Sequence, residues 1–167
     1  RVDHTKHHRR QGNEKKKKKH DADELDGPFA LAGNLGKIRY QQINDRLGHL
    51  TGDRVLVEVA SRMRAEVRRS SDIVARMGGD EFLVLLDNVD AGDLRASEVA
   101  SALLVALQKP IVLDSGESVA VGASIGMASF PRHGRSRDTL LQAADLAMYE
   151  VKRSGKNAFA QAVAPAP

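Results

Sequence analysis

The 167-residue chain contains no cysteine. That excludes a disulfide framework and any thiolate-bound metal, and it is compatible with the cytosol. No apolar run approaches the roughly eighteen residues that a membrane-spanning helix needs. The opening residues are basic and lack an apolar stretch, so no secretory signal peptide is read there. A basic folded body is missing as well, despite a formal net charge of +4. Residues 1–20 hold nine Lys or Arg against two acids, while the remainder holds 17 against 20. The positive excess therefore belongs to the leading segment, and the expectation is that the rest binds no nucleic acid.

What is present suits one ordinary domain, with 41% apolar residues. Residues 1–27 form a block of their own, with His4, His7 and His8, the run Lys15 to Lys19, and then Asp21, Asp23, Glu24 and Asp26. Their apolar residues are few and without period, which reads as a solvated, disordered tail. An anionic partner or a metal on the histidines is the sharper alternative, but nothing in the spacing fixes a geometry. Residues 28–163 read as the domain, and the Ala-Pro ending at 164–167 as linker-like.

Within the domain, Phe29 to Ala32 begins like a strand, and Gly33 and Gly36 break it. Ile43 to His49 reads as a short helix and turn. Gly52 to Arg69 is a helix with Val55, Leu56, Val59, Ala60, Met63 and Val67 on one face, leaving its arginines mostly on the wet side. Ile73 to Met77 and Phe82 to Leu86 make a β-hairpin about a Gly-Gly-Asp turn. A helix over Asp93 to Gln108 stops at Pro110. A second hairpin joins Ile111–Leu113 to Val119–Met127. A helix over Arg137 to Arg153 ends before Gly155, and a last strand spans Ala158 to Val163. Hairpins mixed with helices give an α+β class.

The turn Gly78-Gly79-Asp80-Glu81 is the most informative stretch. Paired glycines let the backbone approach a ligand closely. Adjacent acids at a hairpin tip repel each other unless a cation sits there, and a divalent ion holding phosphate oxygens would explain them. Taken alone, Gly-Gly-Asp favours the plainer reading of an ordinary polar hairpin turn.

The string Gly78-Gly79-Asp80-Glu81-Phe82, followed by Leu83-Val84-Leu85-Leu86, resembles the signature of the GGDEF domain, the diguanylate cyclase family. Ile43-Asn44-Asp45-Arg46-Leu47-Gly48-His49 with Gly52-Asp53 resembles the family's nucleotide-base segment. Ser124-Ile125-Gly126-Met127-Ala128 with Pro131 resembles its second hairpin. Ala144-Asp145-Leu146-Ala147-Met148-Tyr149, with Lys152, Gly155, Lys156 and Asn157, resembles its last helix and exit. The likeness runs from about Tyr40 to Phe159.

That resemblance implies a palm-like fold, with a central, mainly antiparallel sheet flanked by helices. It implies condensation of two GTP into cyclic di-GMP and pyrophosphate by a homodimer, with Mg²⁺ or Mn²⁺. It carries Asn44 and Asp53 over as guanine readers, Lys152 and Lys156 as phosphate-holding cations, Asp80 as metal ligand and Glu81 as its acidic companion. A carboxylate accepts from guanine N1–H and the 2-amino group, which adenine does not offer in that place. For Asp53 the plainer reading is a charge at a helix N-terminus; for the lysines it is a solvated helix end. Arg69-Ser70-Ser71-Asp72 lies at the family's spacing for a product-inhibition site, where Arg69 and Asp72 would hold cyclic di-GMP; a surface ion pair is the plainer reading. A cytoplasmic location follows, in a longer and even membrane-anchored protein.

The chain departs from the family before Tyr40. The family's strand ends Asp-x-Asp-x-Phe; here Tyr40 takes the aromatic place, the first acid falls on Gly36, the second on Ile38, and a phosphate-contacting Lys on Gln41. The family's opening Asp-x-Leu-Thr-Gly-Leu-x-Asn-Arg is not found. Two explanations stand. One is a degenerate domain that binds cyclic di-GMP or GTP as a sensor. The other is a leading stretch of altered origin, such as a shifted reading frame, joined to a cyclase.

Overall fold

The structure is a computed structural model, and it describes residues 29–35, 40–89 and 94–164, with only the backbone for 29–35 and Gln41. The tail at 1–27, Gly36, Ile38 and the end at 165–167 lie outside the described residues.

Five strands form the main sheet in the order β2-β3-β1-β6-β7. They are β1 (Phe29–Leu35), β2 (Ile73–Gly78), β3 (Glu81–Asp87), β6 (Ser124–Ser129) and β7 (Ala158–Gln161). A separate small hairpin holds β4 (Ile111–Val112) and β5 (Ser118–Val119). The helices are α1 (Tyr40–Leu47), α2 (His49–Glu66), α3 (Arg95–Gln108) and α4 (Arg137–Arg153). All pairings in the main sheet are antiparallel except β6 with β7. This is the expected α+β architecture with a mainly antiparallel sheet.

Period-two alternation places Phe82, Val84 and Leu86 of β3 on one fully buried face. Val55, Val59 and Met63 of α2, Leu103 and Leu107 of α3, and Ile125 and Met127 of β6 belong to the same core. Each such side chain contributes about 1.5–3 kcal/mol through burial. A smaller core beneath α4 joins Leu140 and Ala144 to Ala128, with Leu83 and Leu85 beside them. Helix α4 starts at a capping box in which Ser136 Oγ accepts from Thr139 N and Thr139 Oγ1 accepts from Ser136 N.

Three sequence expectations are corrected. Gly33 does not end the first strand: β1 runs to Leu35 and absorbs a register irregularity between Ala32 and Leu35. Pairing with β3 on one side and β6 on the other holds it extended. The stretch Val119–Met127 is not one strand, because β5 stops at Val119 in the small hairpin and β6 starts afresh at Ser124 in the main sheet. Arg62 is not on the wet side: its guanidinium donates to the carbonyls of Ala106, Lys109 and Pro110 and pairs with Glu58. It thereby holds a carbonyl of the last turn of α3, Ala106, together with those of Lys109 and Pro110 that follow the helix.

Candidate functional site

Sheet register gathers the chemistry at one end. Arg76, Phe82, Leu35, Ile125 and Phe159 form a single cross-strand row. The Gly79-Asp80 turn, the end of β1, the start of β6 and the start of β7 therefore leave the sheet together. The turn is closed by pairing of Gly78 with Glu81, and Gly79 has φ +52°, a conformation that costs a residue with a Cβ. Asp80 and Glu81 are half-buried, and neither side chain has an ion pair or hydrogen bond among the described residues. Arg76 Nε donates to Gly79 O at 2.9 Å and so braces the turn.

Lys152 lies in the last turn of α4, and Lys156 lies just before β7, at the same end of the sheet. Gly155, Lys156 and Asn157 all have positive φ, and Lys156 N donates to Val151 O at 3.0 Å. This tight exit turns the chain directly from α4 into β7 and leaves Lys156 exposed and Lys152 half-buried.

The corner between α1 and α2 brings Tyr40, Asn44, Gly52 and Asp53 together. A Cβ on Gly52 would lie 1.8 Å from Asn44 Oδ1 and 2.8 Å from Tyr40 Cε2, so only glycine admits this approach. Asn44 Oδ1 is buried and has no hydrogen-bond partner among the described residues. A buried acceptor left unpaired costs about 1–3 kcal/mol. Tyr40 OH donates to Asp53 Oδ1 at 3.2 Å. Because α2 begins at His49, Asp53 sits beyond the first turn, where the helix dipole has faded. The helix-terminus reading of Asp53 thus loses its basis. A cleft of ≈ 420 Å³ runs from Asp53, Leu56 and Val57 to Arg76 and Phe82, linking the helix corner to the strands that bear the turn. Two larger hollows, ≈ 660 Å³ against the β4–β5 hairpin and ≈ 960 Å³ along α4 and β7, are lined by none of Asn44, Asp53, Asp80, Glu81, Lys152 or Lys156.

Arg69 and Asp72 are not brought into one open site. Arg69 is exposed. Asp72 is 4% exposed, accepts from Asp87 N at 3.1 Å and is ion-paired with Arg95. Arg95 escaped the sequence reading, since a lone arginine at a helix start carries no signal of a buried partner. Tyr40 and Arg76 also gained roles only in three dimensions. The one visible hint for Tyr40 was a hydroxylated ring where the resemblance puts Phe.

Among the described residues no group of three or more acids or histidines gathers as a metal site. Asp80 with Glu81 is the carboxylate set at the sheet end. A small hard cation typically takes one or two carboxylates and completes its shell with substrate phosphates, so this pair fits a nucleotide-borne ion and not an all-protein cage.

Comparison with known proteins shows the family and agrees with the fold. The family model described as "Diguanylate cyclase, GGDEF domain" matches residues 36–158. The chain is 45% identical over 118 residues to diguanylate cyclase TpbB of Pseudomonas aeruginosa, covering 71% of this chain and 27% of that protein. It is 40% identical over 120 residues to the bifunctional diguanylate cyclase/cyclic di-GMP phosphodiesterase MucR of the same species, covering 72% of this chain and 17% of that one. The chain thus spans about a quarter or less of these relatives. The solved GGDEF domain of TpbB superposes with a TM-score of 0.76 at 40% identity, over 82% of this chain and 78% of that one. The GGDEF domain of DgcB from Caulobacter crescentus, solved with c-di-GMP, gives 0.67 at 30% identity, over 80% and 77%. Among the described residues no helix is long and apolar enough to cross a membrane.

Proposed function

The chain belongs to the GGDEF diguanylate cyclase family, and from that membership we propose that it binds GTP at the α1–α2 corner and condenses two GTP into cyclic di-GMP as a two-fold dimer. The observation that carries this reading is the buried, unpaired Asn44 Oδ1 beside the Asp53 carboxylate. An amide and a carboxylate side by side match the N1–H and 2-amino edge of guanine, and adenine would leave them unsatisfied. The triphosphate would extend along the ≈ 420 Å³ cleft to the turn at Gly78 and Gly79, with Lys152 and Lys156 supplying positive charge.

In the reaction each 3′-hydroxyl attacks the α-phosphate of the other GTP. One P–O bond forms, the bond to pyrophosphate breaks, and the hydroxyl proton passes to solvent. A symmetric product closed from two nucleotides needs two sites facing each other, hence the dimer. Mg²⁺ or Mn²⁺ held by Asp80, with Glu81 beside it, would offset the charge that develops on phosphate. Cyclic di-GMP would return as an inhibitor at Arg69 and Asp72, its guanine competing with Arg95 for the Asp72 carboxylate. GTP and cyclic di-GMP are the expected ligands, in a cytoplasmic domain of a longer protein.

One observation favours a second reading: position 36 is glycine, where the resemblance places an acid. The domain would then bind GTP or cyclic di-GMP as a sensor without turning over. Incubation with labelled GTP and Mg²⁺ separates the two. Cyclic di-GMP in the products supports the cyclase; binding of GTP or cyclic di-GMP without product supports the sensor; absence of binding to either nucleotide overturns both.

A further inference from the structure

We infer that Tyr40 is a specificity-determining positioning residue, whose hydroxyl fixes the orientation of the Asp53 carboxylate; the inference rests on the guanine-binding reading above. Tyr40 stands four residues before Asn44 on α1, so the two share one face and meet α2 together. Its ring lies against Gly52, with Cε2 2.8 Å from where a Cβ would be. Its hydroxyl is 3.2 Å from Asp53 Oδ1.

Asp53 is exposed, and Tyr40 is the one hydrogen-bond partner of its carboxylate among the described residues. Without that bond the carboxylate would turn freely about two side-chain torsions and would lose that freedom on binding. A carboxylate has about four acceptor sites; Tyr40 occupies one on Oδ1 and leaves Oδ2 and the remaining lone pairs for a ligand's donors. The bond therefore pre-pays orientation without consuming the guanine-reading capacity. The resemblance puts Phe at this position, and the hydroxyl that makes the contact is present in this chain. Tyr40→Phe keeps the ring against Gly52 and deletes the bond alone.

The test is calorimetric titration of the full chain with GTP and with ATP, for the parent, Tyr40→Phe, Asp53→Ala and the double variant, with a melting curve for each. Tyr40→Phe should melt with the parent, weaken GTP binding by about three- to ten-fold and leave ATP unchanged. In the Asp53→Ala background, Tyr40→Phe should change neither affinity, because no carboxylate remains to orient. Parent-like GTP affinity and GTP/ATP ratio in Tyr40→Phe, with both reduced in Asp53→Ala, would overturn the inference and leave the guanine reading standing. If Tyr40→Phe melts lower, the double variant decides: a further GTP loss beyond Asp53→Ala would make Tyr40 a merely structural residue. Equal affinities of the parent for GTP and ATP would overturn the guanine reading, and the inference with it.

Discussion

Asp72 and Arg95 form an ion pair between the loop before β2 and the first turn of α3, with the Asp72 side chain fully shielded and that of Arg95 12% exposed. Asp72 also accepts from Asp87 N, and Arg95 donates to Asp87 O at 3.0 Å. The pair thereby ties both edges of the β3 exit to α3. Removing one member strands the other without water, so Asp72→Ala should cost about 3–5 kcal/mol of unfolding free energy. Replacing both residues with apolar ones should cost markedly less than the two single losses together. Urea unfolding of the two single variants and the double variant checks this. Additive losses would show that the pairing does not hold the loop.

This burial changes how the product-inhibition site must be tested. Asp72 variants confound binding with folding, whereas Arg69 is exposed, its carbonyl accepts from Asp72 N at 3.1 Å, and its guanidinium has no ion pair or hydrogen bond among the described residues. Arg69→Ala should leave the melting temperature unchanged and weaken cyclic di-GMP binding by about ten- to a hundred-fold, the scale of a charge-assisted hydrogen bond. GTP affinity should stay constant, since Asn44, Asp53, Lys152 and Lys156 are untouched. Undiminished binding of cyclic di-GMP to Arg69→Ala, or none to the parent, returns the motif to a solvated surface.

A pH dependence follows from His133. It is 5% exposed and its Nδ1 accepts from Ser129 N at 2.9 Å. Burial first, then the charge of Arg132, holds its pKa below the usual 6.5. Protonation would abolish the acceptor. The unfolded chain therefore binds the proton more readily, and stability present above about pH 6.5 should fall as pH drops toward the folded pKa. The slope from this group is at most about 1.4 kcal/mol per pH unit. Chemical denaturation between pH 8 and pH 5 should show this component in the parent and lose it in His133→Gln. A parent midpoint that stays flat across that range contradicts it.

Local signals carried far along this sequence. The α4 helix matches its expected span from Arg137 to Arg153, because the apolar stripe of Leu140, Leu141, Ala144, Ala147, Met148 and Val151 and the glycine stop at Gly155 agree. The hairpin about Gly79 was equally readable from two apolar runs flanking a turn string. What escaped depended on partners distant in sequence. Gly33 looked like a breaker because the hydrogen bonds that hold β1 come from β3 and β6. Asp72 looked like a surface acid because its arginine lies 23 residues on, in another element. Motif spacing named Asn44 and Asp53 separately, but the space made by Gly52 and the bond from Tyr40 that join them exist only in the folded corner.

The last prediction concerns turnover. The final residue of β1, Leu35, pairs with Phe82, next to Glu81 and the Asp80 turn. The chain then continues to Gly36, the position to which the resemblance assigns the first metal-binding acid. Glycine has no side-chain oxygen, so Asp80 and Glu81 would hold a nucleotide-bound Mg²⁺ without their third carboxylate. An ion held by too few ligands is poorly placed to offset charge on the α-phosphate, and rate falls with that placement. We therefore expect cyclic di-GMP formation by the parent chain to be weak, and its absence would favour the sensor reading. Gly36→Asp, with Ile38→Asp added where needed, should raise it by about ten-fold or more. Asp80→Asn in the Gly36→Asp background should abolish the gain, because the added acid acts only through an ion that Asp80 also holds. Initial rates of labelled cyclic di-GMP formation at saturating GTP and Mg²⁺ measure all three. Robust turnover by the parent, unimproved by Gly36→Asp, would show that position 36 is not where this chain needs its acid.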